Sequence, residues 1–111
     1  MNFDDYKVTV PYPERPRRPR LDAYTADSIN AHSVALVKWG KAQEAYLIQK
    51  RTYSDAQTMM LERFKTDVLK EYGLEGHPKA DKVFAMAWEE GHSAGYSEVA
   101  MWVEQLAELV L

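Results

Sequence analysis

A glutamate and a histidine stand three residues apart in the C-terminal third of the chain, at Glu89 and His92. On a helix this spacing turns both side chains to one face, and helical di-iron proteins bind metal with two such pairs and two further glutamates. This chain has one pair, so a metal-dependent enzyme would need a second copy of the chain to complete its site. We therefore predict no metal site and no cofactor, and the metal-dependent enzyme is the least favoured hypothesis.

Arrangements for other kinds of catalysis are missing from the sequence. His32 and His92 are each followed by a serine, but neighbouring residues point in different directions on a helix, and no third group stands at triad spacing. Neither a nucleophile elbow nor a glycine-rich phosphate loop is present. The chain has no cysteine, which excludes disulfides and cysteine-ligated metal sites. We predict a protein that is not an enzyme and has no catalytic residue.

The clearest binding feature is a proline-rich and arginine-rich segment, Tyr12–Arg20. Proline disfavours helix in the residue before it, so the segment should be extended, and a polyproline II helix has three residues per turn. That period aligns Pro13, Pro16 and Pro19 on one edge. Two interpretations stay open, because the segment either binds a partner or lies as a stiff strap along the helices of its own chain.

A long helix should follow this segment, because Asp22–Tyr72 contains no proline and only one glycine, Gly40. Aromatic and small residues recur every three or four positions from Ala35 to Tyr72, which predicts a helix near 25–72. Four residues are possible N-caps: Asp22, Thr25, Asp27 and Ser28. A capping-box pattern at Ser54 and Gln57 leaves open a break near 51–54.

Gly73 is placed to end this helix, and Pro78 suits the first turn of a second helix that should run to residue 110. Gly91 and Gly95 lie inside the second helical pattern, where they predict the close approach of another backbone or a kink. Residues 6–10 alternate in polarity, which is typical of a short strand or an extended segment.

These elements predict an all-α protein: an antiparallel long-helix hairpin or small helical bundle with an extended proline-rich N-terminal arm. Residues 1–21 would be the arm and residues 22–111 the helical domain. A helix of about fifty residues is roughly 75 Å long, whereas a compact domain of this size has a radius of gyration of about 13 Å. A dimer that buries the Trp39–Tyr72 face would resolve this mismatch.

Charge and hydropathy limit the kinds of partner and the cellular location that the sequence predicts. The net charge is −3, yet residues 1–20 hold five basic and three acidic side chains, while residues 75–111 hold two and seven. Neither value is large enough to diagnose nucleic-acid binding, so a nucleic-acid-associated factor that uses the arginines is the alternative hypothesis. No apolar stretch approaches a membrane span and the N-terminus does not resemble a secretory signal, so we expect a cytoplasmic protein.

Two stretches carry a resemblance to a known class of proteins. Tyr6-Lys-Val-Thr-Val-Pro-Tyr-Pro-Glu-Arg-Pro16 and Ala87-Trp-Glu-Glu-Gly-His-Ser-Ala-Gly-Tyr-Ser-Glu-Val99 resemble small accessory proteins of tailed bacteriophages. The resemblance implies a protein that binds a host protein, such as an enzyme, in the host cytoplasm and modulates or inhibits it.

Independently of that resemblance, the sequence favours a non-enzymatic protein-interaction module. We expect the partner to contact exposed aromatic and arginine side chains, which are common at protein interfaces. The predicted partner-binding residues are Tyr12, Arg15, Arg17, Arg18, Arg20, Trp39, Tyr46 and Tyr53.

Overall fold

A computed structural model describes all residues of the chain, Met1–Leu111, and the protein is all-α. Three α-helices follow one another: α1 (Ala26–Glu71), α2 (Ala80–Gly91) and α3 (Tyr96–Val110). Two short 3₁₀ helices lie at Phe3–Tyr6 and His92–Ala94. No strand is present, so the alternative of a short strand at residues 6–10 is wrong. No helix combines the length and apolarity that crossing a membrane requires.

Helix α1 is continuous and confirms the helix predicted near 25–72. Of the four possible N-caps, Thr25 performs this role, because its Oγ1 accepts the Ser28 N–H at 3.2 Å. No break occurs at the capping-box pattern, so α1 passes through residues 51–54 as helix. The continuous apolar and aromatic pattern outweighs the local capping signal there.

The end of α1 is a Schellman motif built on Gly73, which has a φ of +76°. The Leu74 N–H donates to the Leu69 carbonyl at 2.8 Å, and the Gly73 N–H donates to the Lys70 carbonyl at 3.2 Å. Leu69 and Leu74 are both buried, which supplies the hydrophobic contact that accompanies this motif. The predicted helix end at Gly73 is therefore confirmed.

The prediction of a single helix over residues 78–110 is wrong. Its backbone leaves the helix after Gly91, passes through the 3₁₀ helix and turns at Gly95, whose φ is +111°. Residues with a side chain rarely adopt that backbone conformation, whereas glycine adopts it readily. The result is two helices, α2 and α3, joined by a sharp turn.

The close approach expected at both glycines occurs at one of them. A Cβ on Gly91 would lie 2.8 Å from the backbone nitrogen of Val99, so α3 crosses directly against this position. Nothing lies within 4 Å of a Cβ on Gly95, so the packing role predicted for Gly95 is wrong. Gly91 serves packing, and Gly95 serves the turn.

The chain divides into two compact units. The core unit comprises Met1–Lys7 and Thr58–Leu111, and the basic unit comprises Val8–Gln57. The predicted boundary between residues 21 and 22 stays a prediction.

All buried hydrophobic side chains of the aliphatic and aromatic types belong to the core unit, and Phe64 lies at their centre with no exposed surface. Its ring stacks on Tyr96 with centroids 4.5 Å apart and meets the rings of Phe84 at 6.1 Å and Tyr6 at 5.3 Å. The N-terminal 3₁₀ helix thus contributes Tyr6 to the same core as the three α-helices.

Candidate functional site

The predicted partner-binding residues all fall in the basic unit, which holds eight basic and five acidic side chains. Residues 7–23 form neither helix nor strand, and α1 supplies the other side of the unit. Burial in this segment follows a three-residue period, because Pro13 is buried while Pro16 and Pro19 are half-buried. This is the edge that three residues per turn would align.

Trp39 anchors the middle of the segment. Its indole N–H donates to the Pro16 carbonyl oxygen at 3.4 Å, a long hydrogen bond. The guanidinium carbon of Arg18 lies 5.7 Å from the centre of the Trp39 ring, within cation–π range. One aromatic side chain of α1 therefore contacts both a backbone group and a basic side chain of the segment.

Tyr12, at the start of the segment, contacts α1 at Tyr53. The two rings meet edge to face with centroids 5.1 Å apart, while Tyr12 remains 76% exposed. Beside them a surface pocket of about 320 Å³ is lined by Tyr12, Pro13, Tyr46, Lys50, Tyr53, Ser54 and Gln57. The structure thus brings Tyr12, Tyr46 and Tyr53 into one aromatic surface.

The four arginines are exposed, and none forms an ion pair within the chain. Arg17, Arg18 and Arg20 together line one surface depression. Guanidinium groups with free donors suit carboxylates and phosphates, which they bind in bidentate geometry. The arrangement offers charge on the two edges of the segment that do not carry prolines, and aromatic surface near the start of the segment.

Two side-chain atoms of α1 in this unit are buried without a hydrogen-bond partner, namely His32 Nδ1 and Gln43 Oε1. His32 also lines a depression of about 330 Å³ together with Pro19 and Arg20. Unsatisfied buried groups are rare in folded proteins, and a bound water or a polar group of a partner would satisfy either atom.

Glu89 and His92 are not gathered into a ligand set. The His92 ring stacks on Trp88 with centroids 5.5 Å apart, and its Nδ1 lies 2.7 Å from the Trp88 carbonyl oxygen. No three His, Asp or Glu side chains of the chain are grouped so that they could hold a metal ion. The second pair that a di-iron site requires is therefore not supplied within one chain.

An apolar groove of the core unit was missed by the sequence analysis. It has a volume of about 210 Å³ and lies between α2 and α3, with lysines at its rim. Its lining residues are Lys79, Lys82, Val83, Met86, Leu106, Leu109 and Val110. Leu109 continues the apolar pattern of α3, yet it is 80% exposed. Periodicity alone could not distinguish this exposed groove position from a core position.

Comparison with known proteins gives a family and no function. No curated protein and no solved structure matches the chain. The model of a family of unknown function, DUF8546, matches residues 13–111, which include Pro13, Pro16 and Pro19, the arginines and all three α-helices. The chain therefore belongs to the DUF8546 family.

Proposed function

We propose that this protein is a non-enzymatic protein-interaction module that binds an acidic surface of another protein through its proline-rich arm. The observation that carries the proposal is the state of the four arginines, which are exposed and make no ion pair in the chain. Their donors are free to bind carboxylates, and holding the arm against α1 reduces the conformational entropy lost on binding.

Aromatic side chains would supply the rest of the contact. Tyr12, Tyr46 and Tyr53 lie around one surface pocket, and Tyr12 exposes most of its ring. Tyrosine and arginine are enriched among the residues that dominate binding energy. In this proposal the helical part of the chain, as a hairpin or small bundle, is the scaffold and the arm is the recognition element.

The resemblance to phage accessory proteins extends the proposal to the identity of the partner. A host enzyme in the cytoplasm, modulated or inhibited by the bound module, is the partner that this resemblance favours. The exposed aromatic and basic surface is the type of surface that such a role requires.

The test replaces four residues together, Arg15, Arg17, Arg18 and Arg20, with alanine. A matched control with the same change in charge replaces four lysines outside the basic unit: Lys7, Lys70, Lys79 and Lys82. Wild type and both variants are immobilised, and proteins captured from a host lysate are identified and their dissociation constants measured. The same three proteins are also titrated with a 20-base-pair DNA duplex.

We expect a captured protein whose binding the arginine variant weakens by at least about tenfold. Four exposed charge contacts at about 0.6 kcal/mol each, the middle of the usual range, sum to about 2.4 kcal/mol, and a tenfold change corresponds to about 1.4 kcal/mol. The lysine control should bind like wild type. Equal binding by both variants contradicts the proposal. Duplex binding that is lost in the arginine variant and falls linearly with the logarithm of salt would favour the nucleic-acid-associated factor instead.

A further inference from the structure

The side of α1 that faces away from the proline-rich segment is unoccupied in the single chain. Side chains that contact the segment, such as Trp39 and Tyr53, lie at one angular position around the helix. About 180° away, at 100° per residue, runs a second stripe with alternating steps of four and three residues. It consists of Asn30, Val34, Val37, Lys41, Glu44, Ile48, Arg51 and Asp55.

Every residue of this stripe is exposed. The aliphatic members are Val34, Val37 and Ile48, with 58%, 62% and 68% of their surface accessible. Lys41 and Glu44 form no ion pair in the chain. The basic unit also buries no aliphatic or aromatic side chain, although its helix exposes these three. An isolated helix with a hydrophobic stripe gains most of its stability from packing that stripe against a partner.

The stripe is complementary to itself in one orientation. When a second copy of α1 lies antiparallel, with the two-fold axis between residues 42 and 43, Lys41 faces Glu44 of the second copy. Val37 then faces Ile48, and the two-fold axis repeats each contact. In the outer layers Val34 packs on the aliphatic stem of Arg51, and Asn30 lies opposite Asp55.

Other arrangements fail on charge. Parallel helices in register would set Lys41 against Lys41 and Glu44 against Glu44 of the second copy. An antiparallel shift by one heptad in either direction sets a valine against a lysine, a glutamate or an aspartate. Like charges and buried unpaired charges oppose association, so the pattern selects one orientation and one register.

We propose that the protein forms an antiparallel homodimer through the Asn30–Asp55 stripe of α1, with reciprocal Lys41–Glu44 pairs at its centre. The proposal does not rest on the arginine site. The sequence predicted a dimer through the Trp39–Tyr72 face of α1. The proposed dimer uses the opposite side of the helix, because Trp39 and Tyr53 contact the proline-rich segment.

Charge reversal tests the central pairs. The Lys41→Glu stripe has two central glutamates, and the Glu44→Lys stripe has two central lysines. A homodimer of either variant would therefore contain two like-charge pairs. Each variant alone should self-associate at least about tenfold more weakly than wild type. An equimolar mixture should form a heterodimer as tight as wild type, because both central pairs are then opposite in charge. Sedimentation equilibrium over a concentration series measures all three.

Circular dichroism of the two single variants establishes that α1 stays helical. The double variant, Lys41→Glu with Glu44→Lys, should recover homodimerisation because its pairs are swapped rather than lost. The proposal is overturned if wild type remains a monomer, if the single variants associate like wild type, or if the mixture does not associate.

Cross-linking tests the orientation, and the chain is suited to it because it has no native cysteine. A mixture of the Val37→Cys and Ile48→Cys proteins should form a disulfide-linked heterodimer under mild oxidation. Val37→Cys alone should not cross-link, because eleven residues of helix, about 16 Å, separate the two copies of position 37 from each other. Cross-linking of Val37→Cys with itself would instead show parallel helices and would overturn the proposal.

Discussion

The Tyr6 hydroxyl donates a hydrogen bond of 2.6 Å to the Asp67 carboxylate, joining the N-terminal 3₁₀ helix to the last turns of α1. Tyr6 is 94% buried, since its exposed fraction is 6%, and the guanidinium carbon of Arg63 lies 5.7 Å from the centre of its ring. A hydrogen bond between a buried phenol and a charged acceptor is stronger than one between neutral groups. It holds the N-terminal 3₁₀ helix against α1 within the core unit, across sixty-one residues of sequence.

Replacing Tyr6 with phenylalanine should lower the free energy of unfolding by roughly 1–2 kcal/mol, because the hydrogen bond to a charged and partly hydrated carboxylate is lost while the ring packing stays. Urea unfolding followed by circular dichroism measures the change. Tyr24→Phe is the matched control, since Tyr24 is 93% exposed, and it should unfold like wild type. A Tyr6→Phe protein as stable as this control would contradict the importance of the bond.

Tyr6 also makes the free energy of unfolding depend on pH in the alkaline range. Burial, and then the hydrogen bond and negative charge of Asp67, raise the pKa of Tyr6 to about 12 from 10.0. Because the folded-state pKa is the higher one, the contribution to stability is complete below pH 10 and is lost as pH rises through about 12. Burial raises the pKa of Tyr72 and Tyr96 in the same direction. Tyr6→Phe should therefore reduce, without abolishing, the loss of stability between pH 10 and 12.

Local signals predicted the fold where local interactions decide it. The Thr25 cap and the helix end at Gly73 both depend on neighbours within a few residues. A full break between α2 and α3 was not predicted, because the glycines at 91 and 95 indicated either a close crossing or a kink within one helix. Only the position of α3 against Gly91 distinguishes their roles.

The candidate site was predictable in part for the same reason. The three-residue period aligned Pro13, Pro16 and Pro19 on one edge of the segment, and the burial of these three prolines in the structure follows that edge. The hydrogen bond from Trp39 to Pro16 joins residues twenty-three positions apart, and no local pattern encodes that pairing. The Asn30–Asp55 stripe was missed because half of its members are charged and it carries only three aliphatic residues.

Gly91→Ala should lower the free energy of unfolding by about 1–3 kcal/mol, because the new Cβ would lie 2.8 Å from a backbone atom of α3 and the helices must separate. Gly40→Ala is the control within a helix, since nothing lies within 4 Å of its Cβ. This control should stabilise α1 by about 1 kcal/mol through helix propensity alone. Thermal unfolding in which both alanine variants behave alike would mean that α3 does not press on Gly91.

Phe64→Ala should be among the most damaging single changes, with a loss of about 3–5 kcal/mol, because it removes a fully buried ring that contacts Tyr6, Phe84 and Tyr96. Met59→Ala on the same helix is the control. Met59 is 71% exposed, so its loss should change stability by less than about 0.5 kcal/mol. Chemical denaturation at constant pH compares the two, and similar midpoints would contradict the placement of the core.

Trp39→Ala should release the proline-rich segment without unfolding the core unit. It removes the hydrogen bond to the Pro16 carbonyl and the ring beneath Arg18. A released segment is a better protease substrate, because cleavage requires the backbone to enter an active site in extended form. Trypsin acts poorly before proline, so the sensitive bonds are Arg17–Arg18 and Arg20–Leu21. Mass spectrometry of timed digests should show faster cleavage at both bonds.

Leu47→Ala provides the comparison for this experiment, because Leu47 lies on α1, is 55% exposed and does not belong to the Asn30–Asp55 stripe. Its digestion should match that of wild type, and urea unfolding followed by far-ultraviolet circular dichroism should keep its cooperative transition in both variants. Equal cleavage rates for Trp39→Ala and wild type would show that Trp39 does not hold the segment. Loss of the cooperative transition together with faster cleavage would show instead that the substitution unfolds the core unit.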